Sequence, residues 1–459
     1  MCSSDLDAVA DATPIGAGGT GSKLGVGVSI GLNVVPNTTR AEVEDGGVIG
    51  GAKALTLTAV SDHTATTNAV AGGAGSNGTG VGISAGIAIV NDATTARLGT
   101  GAGTTTITGD FAATATHTGA SVTTAGAKSS GDTAVGIGIG VNVVDDSAAA
   151  TLARSLAAGG AVSLASSSAA TSTVAASATA AGGSQTAASK TKSGGGSVDS
   201  QVSDQQSYGQ TAATNSGSKA KNGTKSAPAA KDNSGSSIAL AGAVGVNVSS
   251  NASLATVGDS LSVTAGGALS LSAAGTTTAS ASADGSAVGV GDGKLATYGV
   301  GVAVGLNLAT SVNRASLGTT DVVSATGVSL AAGPVNATDR DAFKAAAKAG
   351  ASGQDVGVAG ALALNIVTEN TTEAVIPSST VTANGGDVVL TAKNAADAVA
   401  DATPIGAGGT GSKLGVGVSI GLNVVPNTTR AEVEDGGAIA GAKGLTLTAV
   451  SDHTATTNA

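Results

Sequence analysis

The residues of this chain that could act in catalysis are few, and they recur with a sequence repeat. Its three histidines are His63, His117 and His453; His117 follows His63 by the length of one repeat module, and His453 is the copy of His63 in a duplicated segment. Side chains that recur with a repeat are usually structural, so we interpret the histidines as polar strand or turn residues. Neither a Ser/His/Asp arrangement nor an HExxH or CxxC motif can be identified, so the sequence predicts a non-enzymatic protein.

Acidic residues gather in predicted turns and are the remaining candidates for ligand binding. They form three groups, which are Glu42, Glu44 and Asp45, then Asp145 and Asp146, then Asp339 and Asp341. We interpret them as solvated turn residues and predict no cofactor; the alternative is weak Ca²⁺ binding, if stacked turns bring the carboxylates together. The sequence otherwise assigns no catalytic, cofactor-binding or metal-binding residue.

The sequence repeats at two lengths, and these repeats would determine where any binding site lies. Residues 7–69 recur at 397–459 with three differences in 63 positions. Within this long unit, a segment such as GVGVSIGLNVV at 25–35 recurs roughly every 54–60 residues, and one spacing is longer by roughly 50 residues. We therefore predict seven modules, three in 7–180 and four in 237–459, and expect the chain to be a window onto a longer array.

The recurring segment, called the anchor below, alternates with a period of two, which predicts a strand. Val26 and Val28 lie on one of its faces, and Gly25 and Gly27 lie on the other. Glycine in register on one face indicates that another backbone or sheet approaches that face closely.

An asparagine recurs near the end of the anchor in six of the seven modules. These residues are Asn33, Asn142, Asn247, Asn307, Asn365 and Asn423. Stacked asparagines form ladders of side-chain amide hydrogen bonds, so all six are candidates for a structural ladder. The alternative is that each asparagine bonds to its own backbone beside a turn.

The fold class predicted from these patterns is all-β. Each module contains three or four strands joined by Gly, Asn, Asp and Ser turns, so we predict a repetitive, parallel β-helix-like β-solenoid of roughly 55–60-residue modules. The alternative is a stack of long antiparallel strands or β-sandwich repeats. Two or three coils per module would give a rod of about 80–100 Å at about 4.8 Å per coil. Only the segment 338–350 has helical character, and an extended conformation fits it equally well.

Two segments depart from the repeat. Residues 1–6 (MCSSDL) match nothing downstream, so we expect a non-native leader. Residues 181–236 are rich in Gly, Ser, Gln and Lys and are predicted to be an insertion that forms a solvent-facing loop. A basic tether that touches an anionic polymer or a lipid surface is the functional alternative for this insertion.

The composition restricts both the core and the partners. Aromatic residues are 1% of the chain and Gly is 72 of 459, so the interior is expected to be thin and built from Val, Ile, Leu and Ala. The net charge of −10 argues against nucleic acid as a partner, because phosphate binding needs clustered Lys and Arg. No apolar run is long enough for a transmembrane helix. A single cysteine, Cys2, excludes an internal disulfide.

The pattern VGVxVGLNVV…TTxAxV…GGxVxLTA…TxTAxA resembles the repeat regions of giant bacterial surface proteins, which include filamentous haemagglutinin-like adhesins and autotransporter passenger domains. It covers nearly the whole chain outside 1–6 and 181–236. The resemblance implies export from a Gram-negative-type bacterium, a location at the outer-membrane surface or outside the cell, and an adhesive stalk or scaffold in attachment or biofilm. Implied partners are a host or neighbouring cell surface, glycans or matrix, and the rest of the array. The alternatives are a ligand-free spacer and a fragment of a polysaccharide-acting β-helix enzyme.

Overall fold

The computed structural model describes five parts of the chain, which are residues 2–13, 18–75, 78–182, 238–287 and 296–459. The described residues form strands, turns and bends, and they include no helix long and apolar enough to cross a membrane. The insertion predicted at 181–236 lies outside the described residues except for its first two positions, which end a strand. Residues 2–6 of the expected leader belong to the first strand, which pairs in parallel with a later one.

The strands fall into a long and a short class. In the first half of the chain they are β1 (Cys2–Ala12), β2 (Gly19–Gly21), β3 (Leu24–Val43), β4 (Leu55–Gly75), β5 (Thr79–Leu98), β6 (Thr105–Ile107), β7 (Phe111–Gly131), β8 (Thr133–Leu152), β9 (Leu156–Ala158), β10 (Val162–Gly182) and β11 (Ile238–Val257). In the second half they are β12 (Ser262–Ala265), β13 (Leu269–Ala287), β14 (Tyr298–Ser316), β15 (Val322–Ala325), β16 (Val328–Gly333), β17 (Asp341–Ser352), β18 (Val356–Ile376), β19 (Thr380–Ala383), β20 (Val388–Thr410), β21 (Leu414–Val424), β22 (Thr428–Val433), β23 (Ala438–Ala440) and β24 (Leu445–Asn458).

These strands build three parallel sheets that run along one axis. Sheet A joins β1, β4, β7, β10, β13, β16, β17, β20 and β24, with β2 beside β4; sheet B joins β3, β5, β8, β11, β14, β18 and β21, with β22 beside β18. The short strands β6, β9, β12, β15, β19 and β23 make sheet C. From β5 onward each coil passes through sheets B, C and A in turn, and its strands pair with their equivalents in the adjacent coils. This arrangement confirms the predicted parallel β-solenoid and excludes antiparallel pairing between coils.

One module supplies one coil. Val26 pairs with Val81 and Val81 pairs with Val135, so the sheet B register follows the module spacing of the sequence. A module therefore does not hold the two or three coils considered above, because strands as long as the 20 residues of β3 use up the module. Seven coils at about 4.8 Å give a stack of about 34 Å rather than about 80–100 Å.

The segment 338–350 is extended and forms most of β17, so its helical alternative is wrong. Phe343 of this strand pairs with Ala279 on one side and Ala398 on the other. Parallel partners on both sides satisfy the backbone groups of β17, and this tertiary pairing outweighs the weak helix propensity of its Ala and Lys residues.

The cross-section of the coil is a wedge. At the narrow edge, where sheet A turns directly into sheet B, a Cβ atom on Gly27 would lie 1.9 Å from the carbonyl oxygen of Gly72. This contact confirms that a second backbone approaches the glycine face of the anchor. At the wide edge, sheet C closes a core of larger side chains that includes Ile107, Phe111 and Leu156. The expected interior of Val, Ile, Leu and Ala is present, with its Ile and Leu residues concentrated at that edge and a cluster built only of alanine elsewhere.

Candidate functional site

The outward side of sheet B carries the apolar residues of every anchor and is called the outer apolar face below. It comprises the outward-pointing residues of 24–34, 79–89, 133–143, 238–248, 298–308, 356–366 and 414–424. Ile139 and Val302, in the middle of the stack, are 38% and 42% exposed. The anchor therefore turns its Val, Ile and Leu side chains to the outside and its Gly, Ser and Asn residues to the inside.

This face is large and regular. The anchors are 11 residues long and seven strands wide, so their outward side covers on the order of 1,000 Å². Branched side chains repeat along each strand at every second residue and across strands at about 4.8 Å. The largest apolar patch of an ordinary soluble monomer is about 300–600 Å² and is often functional.

The outer apolar face borders a polar stripe formed by the second half of the same strands. Arginines and glutamates of adjacent coils pair there: Arg314 and Arg430 both bind Glu373, at 2.9 and 3.1 Å. Arg97 lies 3.6 Å from Glu42 and 3.3 Å from Asp45. The stripe is therefore internally neutralised, and it marks a sharp edge of the apolar area.

The acidic residues do not converge into oxygen-only sites, and the prediction that they lie in turns is wrong for four of the seven, which belong to strands β3, β8 and β17. Glu42 and Asp45 share Arg97, so a Ca²⁺ ion there would compete with a guanidinium group. Neighbouring Asp145 and Asp146 point to opposite faces of their strand, since Asp146 is buried. Asp341 is also buried, and its Oδ1 accepts a hydrogen bond from the backbone N–H of Thr277 at 2.7 Å.

The inner face of sheet B holds the six predicted ladder asparagines in one column. Asn247 donates its amide hydrogen to Asn307 at 2.8 Å, Asn307 donates to Asn365 at 2.9 Å, and Asn365 donates to Asn423 at 2.9 Å. These four amides thus form a continuous chain of hydrogen bonds along the axis.

The other two asparagines of this column are held differently. Asn142 donates at 2.9 Å to Ser172 of sheet A, whose hydroxyl donates in turn to Asn247, so a serine bridges the longest repeat. Asn33 faces Ala88 in the next coil, and its amide bonds instead to the backbone carbonyls of Ala8 and Thr66. The structure therefore brings together five of the six residues and leaves Asn33 outside the chain.

A second inner column, four residues further along each sheet B strand, contains a cluster of two histidines and two aspartates. Asp92 and Asp146 are register partners in adjacent coils of sheet B. His63 and His117 come from the facing strands of sheet A, and their rings stack with centroids 5.3 Å apart. All four side chains are fully buried. This burial argues against a role in binding substrate from solvent.

The histidines meet because they are not equivalent in the fold. In sheet A, His63 pairs with Gly119 and His117 pairs with Ser61, so neither histidine is the register partner of the other. The spacing between the two histidines in the sequence is two residues shorter than the spacing between register partners in sheet A. Because this offset is an even number, both rings lie on the same inner face, as diagonal neighbours. A Cβ atom on residue 119 would lie 2.5 Å from Cε1 of His63, so Gly119 leaves the room that the ring occupies. The copy His453 is exposed and pairs with Ala396.

The two aspartates of the cluster differ in their hydrogen bonding. Oδ2 of Asp92 accepts hydrogen bonds from Asn37 and Ser61, each at 2.7 Å, and lies 3.2 Å from Nδ1 of His63. Asp146 faces the other edge of the rings, with Oδ1 4.0 Å from Nε2 of His63 and Oδ2 3.5 Å from Nε2 of His117. Neither Asp146 oxygen has a hydrogen-bond partner, nor does either ring nitrogen of His117 or Nε2 of His63.

Electrostatics in the cluster favour positive charge between the carboxylates. Burial raises the pKa of Asp92, but the hydrogen bond from His63 and the charge of His117 outweigh burial and bring it below the usual value. Burial lowers the pKa of His117, but the carboxylates of Asp146 and Asp92 outweigh it and the net shift is upward. The three groups His63, Asp92 and His117 place ligand atoms within 4.8 Å of one another, which is a spacing that could hold a metal ion.

Comparison with known proteins identified no similar protein. No protein-family model matches the chain, no curated protein matches it, and no solved structure matches its fold.

Proposed function

We propose that this chain is a segment of a non-enzymatic repeat protein, surface-exposed or secreted by a Gram-negative-type bacterium, and that it acts as an adhesive scaffold. The observation that supports this proposal is the outer apolar face of sheet B. Removing apolar surface from water contributes about 25 cal/mol per Å², so contact with another apolar surface favours binding without any pocket or reactive group.

The regularity of the face suits adhesion better than recognition of one small ligand. Each coil adds the same row of branched side chains, so contacts that are weak individually add up along the stack, and affinity grows with the number of coils engaged. Flat sheets without concave pockets are poor small-molecule sites. Tyr298 is the only aromatic residue among the described outward positions of these anchors, so a sugar ring would find little to stack on. The favoured partner is therefore an apolar surface of a cell or matrix.

Adsorption of the purified chain to defined surfaces tests this proposal. We expect binding to a methyl-terminated monolayer and little binding to a hydroxyl-terminated one, measured by surface plasmon resonance at several surface densities. Ile30, Ile139, Val244 and Val304 occupy one row across sheet B. Replacing all four by threonine keeps the β-branched shape and is expected to reduce adsorption at least tenfold.

The matched control changes the polar stripe of the same sheet. Thr38, Thr95, Thr256 and Thr310 point outward from the second half of their strands, and serine replaces them with the hydroxyl retained. This variant is expected to adsorb like the wild type. Absence of wild-type adsorption at every density would favour the ligand-free spacer, and unchanged adsorption of the threonine variant would refute the outer apolar face as the binding surface.

A further inference from the structure

We propose that His63, His117 and Asp92 form a binding site for one divalent transition-metal ion of the Zn²⁺ type, which Asp146 supports from the opposite edge of the rings. The three ligand groups come from strands β4, β7 and β5, so the ion would link sheet A to sheet B and one coil to the next. The site is independent of the adhesive function proposed above.

Two of the three distances between ligand atoms are close to those of a metal site, and all three atoms lie within 4.8 Å of one another. Oδ2 of Asp92 is 3.2 Å from Nδ1 of His63 and 3.7 Å from Nδ1 of His117. Zn²⁺ binds nitrogen and oxygen at about 2.0–2.2 Å, which places neighbouring ligand atoms of a tetrahedral site about 3.3–3.5 Å apart. Both rings present the same edge to one carboxylate oxygen, so a single ion can lie between the three atoms after small side-chain adjustments.

The surroundings place carboxylate, amide and hydroxyl groups where supporting hydrogen bonds to metal ligands are normally found. With Nδ1 bound to the ion, Nε2 of each imidazole carries a hydrogen, and each faces its own oxygen of Asp146 at 4.0 and 3.5 Å. Metal-ligating histidines usually donate this second N–H to a carboxylate or a carbonyl. On the other side, Asn37 and Ser61 donate to the ligating oxygen of Asp92 and fix its orientation.

Five buried polar atoms that otherwise lack partners acquire roles in this arrangement. They are Nε2 of His63, Nδ1 and Nε2 of His117, and both carboxylate oxygens of Asp146. One becomes a metal ligand, two become hydrogen-bond donors and two become acceptors. Buried polar atoms without hydrogen-bond partners destabilise a fold, so their concentration in one place points to a bound ligand.

Charge balance also favours a divalent cation. Two ionised aspartates and two neutral imidazoles carry a charge of −2, which one divalent ion neutralises. Imidazole nitrogen suits Zn²⁺, Cu²⁺ or Ni²⁺, whereas Ca²⁺ and Mg²⁺ take oxygen ligands.

The test begins with the full chain treated with a chelator. Because the site is buried, the protein is unfolded and refolded with Zn²⁺ or with Co²⁺, passed over a desalting column and analysed for metal by mass spectrometry. We expect about one ion per chain, a higher melting temperature with Zn²⁺ than with chelator, and the visible absorption of protein-bound Co²⁺. Refolded wild-type protein that retains no ion and melts at the same temperature in Zn²⁺ and chelator would overturn the proposal.

Variants then locate the ion. His63→Gln, His117→Gln and Asp92→Asn are each expected to abolish retention, whereas Asp146→Asn is expected to weaken affinity about 10–100-fold because it acts through the rings. His453→Gln and Asp341→Asn, at an exposed histidine and at a buried carboxylate outside the cluster, are expected to retain the ion. Retention by a His63→Gln/His117→Gln double variant would overturn the assignment. If a variant fails to fold, the wild-type stoichiometry and the Co²⁺ spectrum still decide the question.

Discussion

The two faces of sheet B show the reverse of the side-chain distribution that a soluble sheet usually has. Along one anchor, Ile139 points outward and is 38% exposed, whereas Asn142 points inward and is fully buried. Within the anchor, the inner side chains must be small or hydrogen-bonded because sheet A approaches closely there. The outer face has no such limit and carries the apolar groups instead. Steric fit to sheet A therefore determines which side chains the inner face can hold. The outer face carries the exposed apolar groups and is the face available for contact with a partner.

This contrast predicts opposite responses to one substitution at two glycines of β11. Gly245 points inward, where a Cβ atom would lie 2.4 Å from the carbonyl oxygen of Ser282, whereas a Cβ on Gly242 meets nothing within 4 Å. Gly245→Ala is expected to lower the free energy of unfolding by about 3 kcal/mol or more, since a backbone must move. Gly242→Ala is expected to leave it unchanged or raise it by about 0.5–1 kcal/mol. Urea denaturation followed by circular dichroism measures both, and equal effects would refute the close approach of the sheets.

A second prediction concerns the asparagine ladder on the inner face of sheet B. Asn307→Ala removes two side-chain hydrogen bonds and leaves the amide of Asn247 and the carbonyl oxygen of Asn365 without those partners. We expect a loss of about 2–3 kcal/mol in the free energy of unfolding. The control is Asn384→Ala, because that amide bonds at the exposed edge of sheet C and should matter by less than about 1 kcal/mol. A loss no larger for Asn307→Ala than for the control would show that the ladder does not contribute to stability.

Much of this fold follows from the sequence because the repeat and the alternation are local signals. The spacing of Asn247, Asn307 and Asn365 equals the register of sheet B, so their alignment can be read from the chain. The face on which the glycines lie also predicts the close sheet contact. The number of coils per module is not encoded locally, because the same strand pattern fits short or long coils, and it depends on where the chain turns.

The histidine cluster could not be predicted from the spacing of the repeats. Between the same two coils, sheet B pairs Asp92 with Asp146, whereas sheet A pairs His63 with Gly119 rather than with His117. The two sheets therefore have different offsets, and only the folded register shows which of their residues face each other. One signal was present, because the spacing from Asp92 to Asp146 equals the spacing from His63 to His117. A pair of acids and a pair of histidines with the same spacing therefore recur across three successive modules.

Asp341, a buried carboxylate of sheet A, is expected to make the stability of the protein depend on pH. Burial raises the pKa of Asp341 to about 7, and its described contacts are the amide of Thr277 and the hydroxyl of Ser311, without a cation. A raised folded-state pKa means that stability is fully present below the unfolded value near 4 and is lost as the pH rises to about 7. Relative to Asp341→Asn, the wild type is therefore expected to lose about 2 kcal/mol between pH 5 and pH 7. Urea denaturation of both proteins at each pH measures the difference, and a constant difference would show that Asp341 is ionised throughout.

The smallest expected effect lies on the outer face and separates stability from binding. Ile139→Thr replaces an outward side chain by one of similar shape and should change the free energy of unfolding by less than about 1 kcal/mol. The same substitution at Ile107, which is 2% exposed in the core beside sheet C, should lower it by about 2–3 kcal/mol because a buried hydroxyl replaces apolar contact. Thermal and urea denaturation of the two variants measure this contrast. A loss at Ile139 as large as that at Ile107 would mean that the outer apolar face is needed for folding, and its apolar character would then no longer argue for a binding role.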